Sequence, residues 1–243
     1  GIGCVITSVR RYRQRFLKGI FLALNEGPGE FLSNKEIEKQ VKEADLQDLL
    51  KQNETAACRC VGLWVETRPD WVDEEELKKL RSYGVTGIEI GVQTTDDKVN
   101  DFNKRGHGLK ESIEATKLCR DIGLKVCHHL MPNLPKATKE SDLKSGRDLF
   151  ELEGLRPDYL KIYPTVVTPF SDLEKMVKVD PTIYKPYSDE ELIEILSDIK
   201  SHVPEYCRII RVIRDIPSEY VILGTHTNNL RQVMQRRGIT CRC

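Results

Sequence analysis

No stretch of eighteen apolar residues occurs anywhere in the sequence, which excludes a membrane-spanning helix. The opening, GIGCVITSVRRYRQRF, has neither an initiator Met nor the charged start, apolar centre and cleavage site of a signal peptide. It starts in mid-element, so a piece of a longer, cytoplasmic protein is expected. Excess charge of one sign is also missing. The 38 Lys and Arg balance 38 Asp and Glu, and global charge therefore points to no nucleic-acid partner. Neither GxGxxG nor GxxxxGKS/T is present to cradle phosphate, and neither HExxH nor GxSxG to supply a metal site or a nucleophile.

What is there is more pointed. Eight cysteines without a secretory signal are expected as reduced thiols. Cys119 and Cys127 fall in apolar periodic segments and read as small core residues. Cys58 and Cys60, like Cys241 and Cys243, alternate along an extended chain and so share one face. Each pair supplies only half of a tetrahedral metal site. Seven Arg against three acids after Ser201 form a basic tail that could hold phosphates.

Apolar spacing predicts helices over Tyr12–Asn25, Asn34–Asn53, Asp73–Tyr83, Thr95–Asn103, Leu109–Ile122, Thr138–Glu151, Ser188–His202 and Asn228–Arg237. Strands are expected at Val61–Val65, Gly87–Val92, Lys125–Leu130, Tyr159–Tyr163 and Arg208–Ile213. Such alternation predicts a parallel sheet with crossover helices. In these folds ligands bind at the carboxyl ends of strands. All five exits carry polar or ionisable groups: Glu66, Arg68 and Asp70; Glu89 and Gln93; His128 and His129; Lys161; and Arg214 and Asp215. Several gripping groups and no obvious nucleophile suit a site that leaves the chemistry to a cofactor.

The motifs ETRPD (66–70), IEIGVQT (88–94), NKRGH (103–107), HLMPNLP (129–135), LRPDYLKIYPT (155–165), VIRDIP (212–217), NLRQ (229–232) and ITCRC (239–243) stand in an order and spacing that closely resembles the catalytic subunit of the Elongator complex. The resemblance covers essentially the whole chain. It implies an α/β fold, a partial (β/α) TIM-like barrel of the radical S-adenosylmethionine type, truncated at the N-terminus. It places that barrel at 1–202, with a C-terminal extension and the start of a Cys-rich linker at 203–243. The implied activity is modification of the tRNA wobble uridine at C5, with S-adenosylmethionine, a [4Fe–4S] cluster and acetyl-CoA. The cluster cysteines would lie upstream, and an acetyltransferase domain would follow, so the piece alone is expected to be inactive. Where the family reads Gly-Gly-Thr, this chain reads Ile2-Gly3-Cys4-Val5.

By the same resemblance, Glu66, Arg68, Gln93 and Arg105 contact the cofactor, Arg105 through its carboxylate. Lys161 and Tyr163 act on the cluster or substrate side, with His129 and Met131 as weaker candidates. Arg231, Arg236 and Arg237 meet the tRNA backbone. Cys241 and Cys243 begin a zinc site that could include His226. Other Elongator subunits are possible partners. Two other readings stay open: a different radical enzyme sharing GVQ…R, such as a porphyrinogen oxidase relative, or an inactive tRNA-binding scaffold.

Overall fold

The computed structural model describes residues 10–27 and 33–242. The Ile2–Val5 motif and Cys243 lie outside them. Five strands form one sheet in sequential order: β1 (Trp64–Thr67), β2 (Gly87–Gln93), β3 (Lys125–Leu130), β4 (Tyr159–Ile162) and β5 (Arg208–Val212). The helices are α1 (Arg10–Glu26), α2 (Asn34–Glu43), α3 (Leu46–Asn53), α4 (Glu74–Ser82), α5 (Asp97–Phe102), α6 (Leu109–Asp121), α7 (Lys139–Glu151), α8 (Asp172–Val179), α9 (Asp189–His202) and α10 (Leu230–Arg236). Strand–helix alternation on a parallel sheet is the expected barrel-type fold. No helix among the described residues is long and apolar enough to cross a membrane.

The residues divide into two compact units. The first comprises 1–67, 71–89 and 118–125. Here α1 turns Leu17 and Phe21 inward, and α3 contributes buried Leu46 and Leu49. Asn25 donates to the Leu49 carbonyl at 2.9 Å and accepts from Asn53 at 2.7 Å, so polar groups inside the layer are paired. An acidic first turn at Glu74–Glu76 suits the α4 dipole, and Arg13 pairs with Glu76. Gly84, at φ +84°, ends that helix where a side chain would meet Leu50 at 2.6 Å.

The strand expected at Val61–Val65 begins three residues later, at Trp64. Val61 is 85% exposed, because pairing starts only at Leu63, whose carbonyl accepts from Thr86 and Gly87. The single helix expected over 34–53 is two. Ala44 closes the first with an extended backbone, and Asp45 caps the second by accepting from the Gln47 and Asp48 N–H groups.

The second unit comprises 68–70, 90–117 and 126–243. Its strands β3, β4 and β5 pair in parallel, with His129 opposite Lys161 and Leu160 opposite Ile209. Val126, Leu130, Leu160 and Ile162 are sealed completely or nearly so, with Leu149, Ile195 and Leu196 buried alongside. Capping boxes at Thr138 and Ser188 start α7 and α9 where their spacing foretold. Helix α8 was not foreseen. It buries no side chain, although Leu173, Met176 and Val177 stand at helical spacing.

Candidate functional site

In the second unit, parallel pairing sends the carboxyl ends of β3, β4 and β5 to one rim, and backbone bonds continue past the strands to hold the exits together. Within the second unit the Met131 N–H donates to the Gln93 carbonyl and the Tyr163 N–H to Leu130, both at 2.8 Å. Thr165 bonds Pro132 at 2.9 Å and Ile213 bonds Ile162 at 2.8 Å.

At the β2 exit, Gln93 takes φ 69°, a left-handed conformation that non-glycine residues rarely hold. Its side chain folds back over Gly91, two residues earlier and on the same face of the strand. A Cβ added at Gly91 would lie 2.7 Å from Gln93 Nε2 and 3.5 Å from Arg105 Nη2. Gly91 therefore makes room for an amide and a guanidinium to meet. Both arrive unfinished: Gln93 Oε1 and Arg105 Nε are buried with no hydrogen-bond partner. An unpaired buried acceptor and donor cost free energy that a bound ligand would recover.

Arg105 reaches this place from the turn after α5. Lys104 (φ 52°) and Gly106 (φ 73°) reverse the chain, and the Arg105 N–H bonds the Asn100 carbonyl at 3.0 Å. Asn103 pins the turn to the β3 exit by donating to the Pro135 carbonyl at 2.9 Å. Gly106 also admits Arg68, since a Cβ there would sit 2.5 Å from Arg68 Nη2. Arg68 forks onto Asp70 with two bonds of 2.9 and 2.6 Å.

Burial pulls the Arg105 pKa down, the neighbouring Arg68 charge adds to that, and Asp70 opposes it. His107 is buried below Arg105, and burial followed by the Arg105 charge likewise lowers its pKa. The neutral ring gives its Nδ1 hydrogen to the Arg105 carbonyl at 3.1 Å, leaving Nε2 as a buried acceptor without a partner. Two cations then stand against the single carboxylate of Asp70. The place is shaped for an anion beside a group that can donate to Gln93.

Of the residues expected from sequence, Gln93, Arg105 and Arg68 gather here. Glu66 lies half-buried on β1, in the other unit. Lys161 is half-buried on β4 opposite His129, whose ring meets Tyr163 edge-on at 5.5 Å. These three form a separate cluster further round the same rim. Arg231 is exposed on α10 and lines a cavity with Lys200, Arg236 is exposed, and Arg237 forks onto Glu190 at 2.6 and 2.8 Å. Cys241 is disulfide-bonded, against the expectation of reduced thiols, and in that state offers no thiolate to zinc. Sequence reading missed Gly91 and His107. The i, i+2 relation of Gly91 to Gln93 was the available signal for the first, and the place of His107 at the end of NKRGH was the signal for the second.

Comparison with known proteins places the chain in a family. A family model described as the radical SAM superfamily matches residues 6–145, and one described as the Radical_SAM C-terminal domain matches 157–238. The chain is 42% identical over 207 residues to a tRNA uridine(34) acetyltransferase of Methanocaldococcus jannaschii, covering 84% of this chain and 38% of that protein. It is 38% identical to Elongator complex protein 3 of Mus musculus, covering 82% of this chain and 37% of the relative. A solved structure of Methanocaldococcus infernus Elp3 with an N-terminal deletion superposes with a TM-score of 0.84 at 35% identity, over 98% of this chain and 53% of the other. The chain spans between 38% and 50% of the length of the tRNA uridine(34) acetyltransferases it matches. With its central glycine, amide and guanidinium inside the matched region, the chain belongs to the radical SAM superfamily.

Proposed function

We propose that this chain is the cofactor-binding core of an Elongator-type enzyme that modifies the tRNA wobble uridine, and that Gln93 and Arg105 hold the amino-acid end of S-adenosylmethionine. The observation that carries the reading is the pair of orphaned atoms over Gly91. A zwitterionic amino acid supplies what each lacks, a carboxylate for the guanidinium and an ammonium for the amide oxygen. Arg68 and Asp70 steady the neighbouring charge, and His107 fixes the Arg105 backbone. The radical SAM domain implies S-adenosylmethionine with a [4Fe–4S] cluster, which together supply a radical able to take hydrogen from an unactivated carbon, beyond the reach of side-chain acids and bases.

The described residues do not make the cluster's ligand set. No three cysteines gather among them, and burial pushes the Cys119 and Cys207 thiols up to about 12, keeping them protonated. Cluster ligands, the acetyl-CoA site and contacts to other subunits are assigned to sequence beyond 1–243, in a soluble cytoplasmic enzyme. Lys161 and Tyr163, beside His129, are assigned to the substrate side of the rim. Residues 203–243 are read as the barrel's extension toward the acetyltransferase domain.

The test is anaerobic reconstitution of the full-length protein with iron and sulfide, followed by an assay of 5′-deoxyadenosine release with and without tRNA. Release stimulated by tRNA is expected. Stimulation by a porphyrinogen instead would assign a different radical enzyme, and no release under either condition would favour a binding scaffold.

A further inference from the structure

Away from the rim, Lys200 lies in the last turn of α9 and is 5% exposed, yet its ammonium has one hydrogen-bond acceptor among the described residues, the Ile239 carbonyl at 3.0 Å. An ammonium has three donors. No carboxylate among the described residues pairs with it, and the charge that acts on it is Arg231, of the same sign. Burial first and Arg231 second lower the Lys200 pKa. Burying an ammonium beside a second cation, without a counter-charge, is unfavourable unless an anion joins them. Other charges on α9 and α10 find partners, Arg237 with Glu190 and Asp198 with Arg147 of α7.

The two unmatched cations face a shared space. Lys200, Arg231, Gln235 and Thr240 line a cavity of about 190 Å³ floored by Ile209 and Val212 of β5. A water needs only about 10–15 Å³, so a tetrahedral oxyanion with its hydration fits. Lysine supplies a point charge with rotatable donors, arginine a fork, and the Gln235 amide and Thr240 hydroxyl further donors.

We propose that this cavity is a phosphate-binding site, distinct from the Gln93–Arg105 cradle. Two cations and two further donors around one cavity suit an anion, and the donor set favours a phosphate group over a planar carboxylate. Its source is a backbone phosphate of the RNA substrate or a free phosphate compound. The RNA assignment rests on the function proposed above, whereas phosphate binding itself does not.

Inorganic phosphate is titrated against the full chain while thermal unfolding is followed, since a ligand that binds the folded state raises the midpoint. A phosphate-dependent rise is expected in the wild type and in Lys110→Gln, which alters an exposed lysine outside the cavity. It should be lost in Arg231→Gln and in Lys200→Met. Arg231 is exposed, so its variant folds even if Lys200→Met does not. No rise in the wild type, or an equal rise in Arg231→Gln, overturns the site. In the second arm the salt dependence of tRNA affinity is measured for wild type and Arg231→Gln. A slope smaller by about one contact, together with competition by phosphate, assigns the site to the RNA backbone. An unchanged slope, with phosphate stabilisation still abolished by the variant, supports the pocket and overturns RNA as its occupant. A wild type that takes phosphate but no tRNA counts against the proposed function alone.

Discussion

Replacing Arg105 by alanine separates a cofactor-binding role from a structural one, because the two predict opposite signs. In the ligand-free protein the guanidinium is a liability: Nε is buried without a partner, and Arg68 repels it. Truncation removes a burdened charge and costs only the packing of the aliphatic stem. Folding stability should therefore stay within about 0.5 kcal/mol of the wild type, or rise. Binding of S-adenosylmethionine should fall. A hydrogen bond to a charged group contributes about 1.5–3 kcal/mol, and each 1.4 kcal/mol is tenfold, so the loss is about 10- to 150-fold. Arg105→Lys keeps the charge but not the fork and should fall between. Equilibrium dialysis with labelled cofactor, beside thermal unfolding of the same samples, reads both quantities. Unchanged affinity in Arg105→Ala would refute the assignment. So would a loss of affinity matched by an equal loss of stability, which would make Arg105 a structural residue.

Three further outcomes follow from the packing. Gly91→Ala places a methyl 2.7 Å from the flexible end of Gln93, so the fold should survive while cofactor affinity drops by about two- to tenfold, the loss of one hydrogen bond; calorimetric titration against circular dichroism checks it. Gly87→Ala meets the rigid Trp64 indole at 2.6 Å and should instead destabilise by about 1–3 kcal/mol in urea unfolding. Burial raises the Asp142 pKa from 3.8 to about 6 although Asn133 N–H and Tyr187 O–H bond to it. The folded state therefore binds a proton more readily than the unfolded one, and this group's contribution improves as pH falls from above 6 toward 3.8. Asp142→Asn should stabilise the protein at pH 8 by something on the order of 2–3 kcal/mol, with little effect at pH 4; denaturant midpoints at both pH values test it.

The sheet was legible because its strands carry their own signal. Gly87–Val92 and Lys125–Leu130 are buried along nearly their whole length, and short segments rich in Ile, Val and Leu between turn residues are how such strands read, even with Glu89, His128 and His129 among them. Val61 failed that rule, since an apolar residue beside Gly62 looks the same whether or not a neighbour pairs with it. The break at Ala44–Asp45 was hidden because the charged run around it kept helical spacing. At the rim, Gln93 and Arg105 were found through family motifs, and no local pattern shows that Oε1 and Nε lack partners. That property belongs to the fold, which brings residues 91, 93 and 105 together across a turn. Lys200 was invisible for the same reason, because a lysine in an amphipathic helix reads as solvated until β5 and the 239–241 segment close over it.

The central claim is that the Gln93–Arg105 cradle recognises the carboxylate of S-adenosylmethionine. Affinities of the wild type and Arg105→Ala for S-adenosylmethionine and for its decarboxylated analogue test it most directly, as a cycle that isolates the single contact. The account predicts that the wild type prefers the intact cofactor by at least about tenfold, and that the preference collapses in the variant. Equal affinity of the wild type for both ligands, or a preference that persists in Arg105→Ala, would contradict it.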